Sequence, residues 1–108
     1  MNGFLNIDVA ELKKLLARGD AVLVDVRTDQ EVARGLIAGA LHIPLHAVPV
    51  RRAELPVEGP TVVYCQSGMR SAQACAWLAA QGYRNLYNLS GGILSWARAG
   101  EMLTDLEA

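Results

Sequence analysis

The segment Thr61-Val62-Val63-Tyr64-Cys65-Gln66-Ser67-Gly68-Met69-Arg70-Ser71 decides how the chain folds, because it joins an apolar run to a short polar loop and then to an Ala-rich stretch. Thr61 to Tyr64 reads as a buried strand. Ser71 to Gln81, with Cys75, Trp77 and Leu78 among its apolar members and Gly82 behind it, reads as a helix. Cys65 therefore sits where a strand ends, facing a helix start. Such a start presents unpaired amide N–H groups and a partial positive charge, both of which favour an anion. A thiol held there ionises more readily, and the thiolate is the form that attacks an electrophile or carries a negatively charged sulfur.

Working outward, the same alternation recurs. Asp8 can cap a helix from Val9 to Arg18, in which Val9, Leu12, Leu15 and Leu16 make an apolar stripe and Gly19 supplies the stop. Ala21-Val22-Leu23-Val24 follows as a buried strand. Thr28 with Glu31 three residues on is a capping-box pattern that starts a short helical turn, ended by Gly35. Ala40-Leu41-His42-Ile43 reads as a short strand stopped by Pro44, and His46 to Leu55 as a poorer helix interrupted by Pro49. Beyond the turn marked by Pro56 and Gly59-Pro60 and the central segment, Asn85 to Leu89 reads as a strand. Ser90-Gly91-Gly92 then makes a tight turn, and Ile93 to Ala99 a last helix ending at Gly100. The residues from Glu101 carry no decisive pattern.

Continuously apolar strands alternating with helices predict an α/β fold with an open, mostly parallel sheet and helices on both faces. Ligands of such sheets bind beyond the carboxyl ends of the strands. Cys65 and Asp25-Val26-Arg27 both fall there, so the two segments are expected to share one crevice.

At 108 residues the chain is expected to form a single domain spanning 1–108, and a globule of this size buries roughly 60–70% of the surface its unfolded form exposes. A hydrophobic fraction of 52% with 19% charged residues excludes a disordered chain. Ten Lys and Arg against eleven Asp and Glu give a formal charge of -1, which offers no basic surface for nucleic acid or anionic lipid. No apolar run approaches the roughly 18–20 residues of a membrane span, and Met1 to Asp8 lacks a basic leader with an apolar core, so a cytoplasmic protein is expected. Two cysteines, Cys65 and Cys75, are too few for a disulfide framework and lack zinc-ligand spacing. A free, reduced thiol is the simpler reading.

Four separated motifs complete the reading: Val24-Asp25-Val26-Arg27, Gly39-Ala40-Leu41-His42-Ile43-Pro44, Cys65 to Ser71, and Leu89-Ser90-Gly91-Gly92 with Trp96. In this order the chain resembles a single-domain rhodanese-like sulfurtransferase of the thiosulfate sulfurtransferase family, from about Val9 to Trp96. The resemblance implies a rhodanese-like domain with a central, mostly parallel five-stranded sheet. It also implies that the loop cysteine, here Cys65, accepts the outer sulfur of a donor such as thiosulfate, becomes a persulfide, and hands that sulfur to a thiophilic acceptor such as cyanide. Gln66, Ser67, Gly68, Met69, Arg70 and Ser71 would wrap it with backbone amides, as an oxyanion hole wraps developing charge. Asp25 and Arg27 look like the family's structural ion-pair elements near the pocket. No metal or organic cofactor is implied.

Within the loop, Gly68 permits a positive φ or a close backbone approach. Arg70 adds a permanent positive charge able to hold a sulfonate or support an anionic sulfur. Ser71 can cap the following helix or point its hydroxyl at Cys65, and both options stay open. Four residues separate Cys65 from Arg70, whereas related phosphatases of the cell-division cycle type and their arsenate-reducing relatives place five there. The shorter loop implies a cradle for one sulfur atom rather than a tetrahedral phosphate.

Other residues take quieter readings. Cys75 is expected to pack as a small apolar side chain, His42 to be a hydrogen-bonded scaffold residue and His46 to be solvated. Trp77 and Trp96 read as core, Arg51-Arg52 with Glu54 as a solvated face, and Arg27 as the partner of Asp25 or Glu31. Two rivals remain to thiosulfate sulfur transfer: a persulfide carrier docking on a protein donor or acceptor, and a binding module without chemistry. Members of the last kind usually lose the cysteine that is present here.

Overall fold

Capping chemistry and glycines decide where the elements begin and end in the computed structural model, which describes residues 3–106. The ends of the expected 1–108 domain, at Met1, Asn2, Glu107 and Ala108, lie outside the described residues. Five strands, β1 (Phe4–Ile7), β2 (Val22–Asp25), β3 (Leu41–His42), β4 (Thr61–Tyr64) and β5 (Leu86–Leu89), form one sheet in the order β1-β5-β4-β2-β3. Every pairing is parallel. The helices are α1 (Val9–Arg18), α2 (Asp29–Val32), α3 (Val48–Arg51), α4 (Met69–Ala80) and α5 (Gly92–Arg98).

Asp8 and Glu11 form a reciprocal capping box on α1, and Thr28 and Glu31 repeat it on α2. Gly19, at φ 82°, ends α1 in the left-handed region that glycine adopts without steric cost.

Side chains alternate across the sheet and build two cores. Val24, Val63, Cys65 and Leu86 face Val48, Ala74, Cys75 and Leu78 on the side covered by α3 and α4. Leu23, Val62, Tyr64 and Leu89 face Leu12, Ile93 and Trp96 on the side covered by α1 and α5. Burial on both faces explains why β2 and β4 read as continuous apolar runs rather than alternating ones.

Several expectations need correction. The edge strand β1 escapes sequence reading because only Ile7 is buried, with Leu5 and Asn6 facing solvent, so no apolar alternation marks it. The helix expected from Ser71 begins two residues earlier at Met69, since Gly68 takes φ 105° as its N-cap and lets Met69 and Arg70 enter the first turn. Pro49 does not interrupt a helix. It stands in the first turn of α3, where its missing N–H has no intrahelical partner to lose, and 3-10 turns at Leu45–Ala47 and Arg52–Glu54 flank it. Strand β5 starts at Leu86 because Asn85 takes φ 52°. The tail is tied down: Leu36 and Thr104 exchange backbone hydrogen bonds, the Trp96 indole N–H donates to the Met102 carbonyl at 2.9 Å, and Lys13 pairs with Glu101 at 2.8 Å.

Candidate active site

The carboxyl ends of β2 and β4 lie side by side, with Asp25 in register with Tyr64, so Cys65 and the Asp25–Arg27 segment are brought together. Cys65 follows the alternation of β4 toward α4 and is 1% exposed, among Val63 and Ala74. Its sulfur is nonetheless ringed by donors. The Gly68 N–H lies 3.1 Å from Sγ, the Ser71 N–H 3.4 Å and the Ser71 Oγ 3.4 Å.

Helix α5 fixes the start of the loop. The Ile93 N–H donates to the Cys65 carbonyl at 2.9 Å and the Leu94 N–H to the Gln66 carbonyl at 3.2 Å, so the loop's oxygens satisfy the first amides of α5. Each carbonyl shares a peptide plane with the next amide, so pointing these oxygens at α5 turns the Gln66 and Ser67 N–H groups the other way. The close approach requires Gly92, at φ 56°, because a Cβ there would lie 2.4 Å from both carbonyl oxygens. Burial works against ionising Cys65, but the Ser71 hydroxyl and the amides of Ser71, Gly68 and Ser67 outweigh it, and the thiol sits below its ordinary range.

Arg70 and Glu31 form a two-pronged ion pair at 2.7 and 2.8 Å, which fastens the first turn of α4 to α2. Arg70 holds Glu31 down to about 2, helped by the Thr28 N–H and hydroxyl against the opposing effect of burial. The cation read as able to hold a sulfonate or support an anionic sulfur thus has its fork on Glu31. Asp25 and Arg27 pair within the protein: Arg27 Nη2 lies 2.8 Å from Asp25 Oδ2 and Nε 3.1 Å from both oxygens. Arg27 also donates to the carbonyls of Gly35 and Glu31, at 2.7 and 3.4 Å. The pair anchors the end of β2 to the segment around α2, and Arg27 meets the backbone rather than the carboxylate of Glu31.

Gln66 and Ser67 have exposed side chains and contribute through their backbone, and Met69 is 78% exposed on the rim. A cleft of about 610 Å³ lined by Val26, Thr28, Pro44, Leu45 and His46 opens beside Arg70. His42 Nε2 donates to the Arg27 carbonyl at 2.7 Å, as a scaffold residue does, and His46 is exposed. Burial pushes the Cys75 thiol up to about 12. Among the described residues no group of three His, Cys, Asp or Glu is arranged to hold a metal ion.

Asn88 is the residue that sequence reading missed. It lies on β5, buried, and its Nδ2 donates to the Gly68 carbonyl at 3.1 Å and to Asn6 Oδ1 at 3.0 Å while its Oδ1 accepts from the Ser71 hydroxyl at 2.5 Å. The available signal was a polar side chain inside the apolar strand Leu86-Tyr87-Asn88-Leu89.

The rhodanese-like domain model matches residues 8–99. A protein named sulfurtransferase from Allochromatium vinosum is 50% identical over 95 residues, covering 87% of this chain and 89% of that one. Thiosulfate sulfurtransferase GlpE of Pseudomonas entomophila is 40% identical over 98 residues, covering 89% and 87%. Among solved structures, the rhodanese-like domain protein of Staphylococcus aureus superposes with a TM-score of 0.82 at 32% identity over 93% of this chain and 96% of that one. The human single-domain sulfurtransferase TSTD1 does so with a TM-score of 0.77 at 32% identity over 86% and 95%.

Proposed function

Because the chain belongs to the rhodanese-like sulfurtransferase family, we propose that it moves a sulfane sulfur from thiosulfate, or a donor of the same kind, to a thiophilic acceptor such as cyanide through a persulfide on Cys65. In the first half-reaction the Cys65 thiolate attacks the outer sulfur of thiosulfate. A new S–S bond forms, the old one breaks, and sulfite leaves with the bonding pair. In the second, the acceptor attacks the terminal sulfur of the persulfide, thiocyanate forms from cyanide, and the Cys65 thiolate is regenerated. The charge sits on Sγ in the thiolate and on the terminal sulfur in the persulfide, so donors gathered in one loop around the cysteine serve both states.

The observation that carries this reading is the convergence of the Gly68 and Ser71 N–H groups on Sγ itself. Donors already at contact distance from the sulfur suit an anion of one or two atoms, and the shelter of Cys65 suits a donor that presents a narrow terminal sulfur. This supports sulfur transfer over the phosphatase and arsenate reductase alternatives. A free thiol of this kind works in a reducing compartment, and we place the protein in the cytoplasm on that ground.

Exposed Met69 beside the loop supports a second reading, a persulfide carrier in a protein-to-protein relay. Steady-state thiocyanate formation tests the first. Double-displacement kinetics that vanish in Cys65→Ser are expected. Slow turnover with thiosulfate but rapid loading from a cysteine desulfurase would favour the relay, and a wild type that turns over neither would overturn both.

A further inference from the structure

Ser71 has one hydroxyl hydrogen and two acceptors within reach, Asn88 Oδ1 at 2.5 Å and Cys65 Sγ at 3.4 Å. The orientation of the Asn88 amide follows from its partners. Its Nδ2 faces the Gly68 carbonyl, which can only accept, so its Oδ1 must face Ser71, and the hydroxyl must donate to it. The oxygen of Ser71 then turns a lone pair toward the sulfur, and a Cys65 S–H has an acceptor there. When the sulfur is anionic the demand reverses, because a thiolate or persulfide wants a donor.

We propose that Asn88 is a positioning residue that competes with the Cys65 sulfur for the Ser71 hydroxyl hydrogen: Asn88 holds it while Cys65 is a thiol and yields it when the sulfur carries charge. Asn88 thereby restrains the acidity of Cys65. The inference rests on the reading of Cys65 as the nucleophile. It needs no particular sulfur donor.

The test is the pH dependence of Cys65 alkylation by iodoacetamide in the full chain, which reads the thiolate directly and proceeds even if thiosulfate is not a substrate. Asn88→Ala frees the hydroxyl for the sulfur, so alkylation on the acid side of the profile should be about fivefold faster than in wild type. Ser71→Ala should move the profile to higher pH. Adding Asn88→Ala to Ser71→Ala should then change nothing further. If Asn88→Ala keeps its effect in the Ser71→Ala background, it acts through Gly68 and the loop, and the proposal is overturned. Should Asn88→Ala not fold, the wild type still decides. The Asn88 side-chain amide resonances should titrate with the midpoint of Cys65 alkylation and stop doing so in Ser71→Ala, whereas resonances that do not titrate, or that persist in Ser71→Ala, count against it.

Discussion

Two cysteines in one core show what the loop does. Cys75 and Cys65 are both buried on the α4 side of the sheet. Burial alone raises Cys75 to about 12, while Cys65 drops below its ordinary range because the Ser71 hydroxyl and nearby amides outweigh burial. Selective chemistry should follow: iodoacetamide at neutral pH should label Cys65 and spare Cys75, read by peptide mass, and equal labelling would contradict the role given to the loop. At this scale the sequence was most legible where a residue acts through its own backbone position. Cys65 announces itself as a strand end and Gly68 as a position that permits a positive φ. Asn88 and the Glu31–Arg70 pair do not, because these roles arise from partners 17 to 82 residues away, which local pattern does not reach.

Among elements, the junction of β4 with α4 depends on α2 and α5. Glu31 serves α2 as its capping-box acid and α4 as the partner of Arg70. Glu31→Gln keeps a capping-box residue but loses the ion pair, and should cost about 1 kcal/mol, while Glu31→Ala loses both and should cost about 2 kcal/mol in denaturant unfolding. The sign of the pH effect follows from the lowered acidity constant. Glu31 titrates near 2 when folded against an ordinary 4.5, so its contribution is present above about 4.5 and fades as pH falls toward 2. The difference in unfolding free energy between wild type and Glu31→Gln should shrink over that window, and a constant difference would contradict the pair. On the other side, Gly92→Ala would force a Cβ against the carbonyls of Cys65 and Gln66. It should destabilise by about 3 kcal/mol and slow Cys65 alkylation together. The capped helices α1 and α2 were readable from Asp8 and Thr28. The early start of α4 and the place of Pro49 were not, since both depend on whether a residue falls just inside or just before a first turn.

For the molecule as a whole, the parallel sheet followed from apolar strands that alternate with helices, and it brings every chemical group of the site to one edge. The order β1-β5-β4-β2-β3 puts β4 in the middle, so Cys65 emerges between neighbours that can hold its loop from both sides. What the chain did not disclose is β1, whose exposed Leu5 and Asn6 carry no alternation, yet whose Asn6 supports Asn88. The buried Asp25–Arg27 pair fixes the other flank. Arg27→Ala would leave the Asp25 carboxylate buried without its cation and should cost about 3–5 kcal/mol, measured by denaturant unfolding. We propose that this framework holds an anionic sulfur on Cys65 ready to receive another, and intact mass after incubation with thiosulfate reads that transfer. Wild type should gain one sulfur atom, lose it on addition of cyanide, and show no gain as Cys65→Ser; a wild type that stays unmodified, or a Cys65→Ser chain that still gains sulfur, would contradict it.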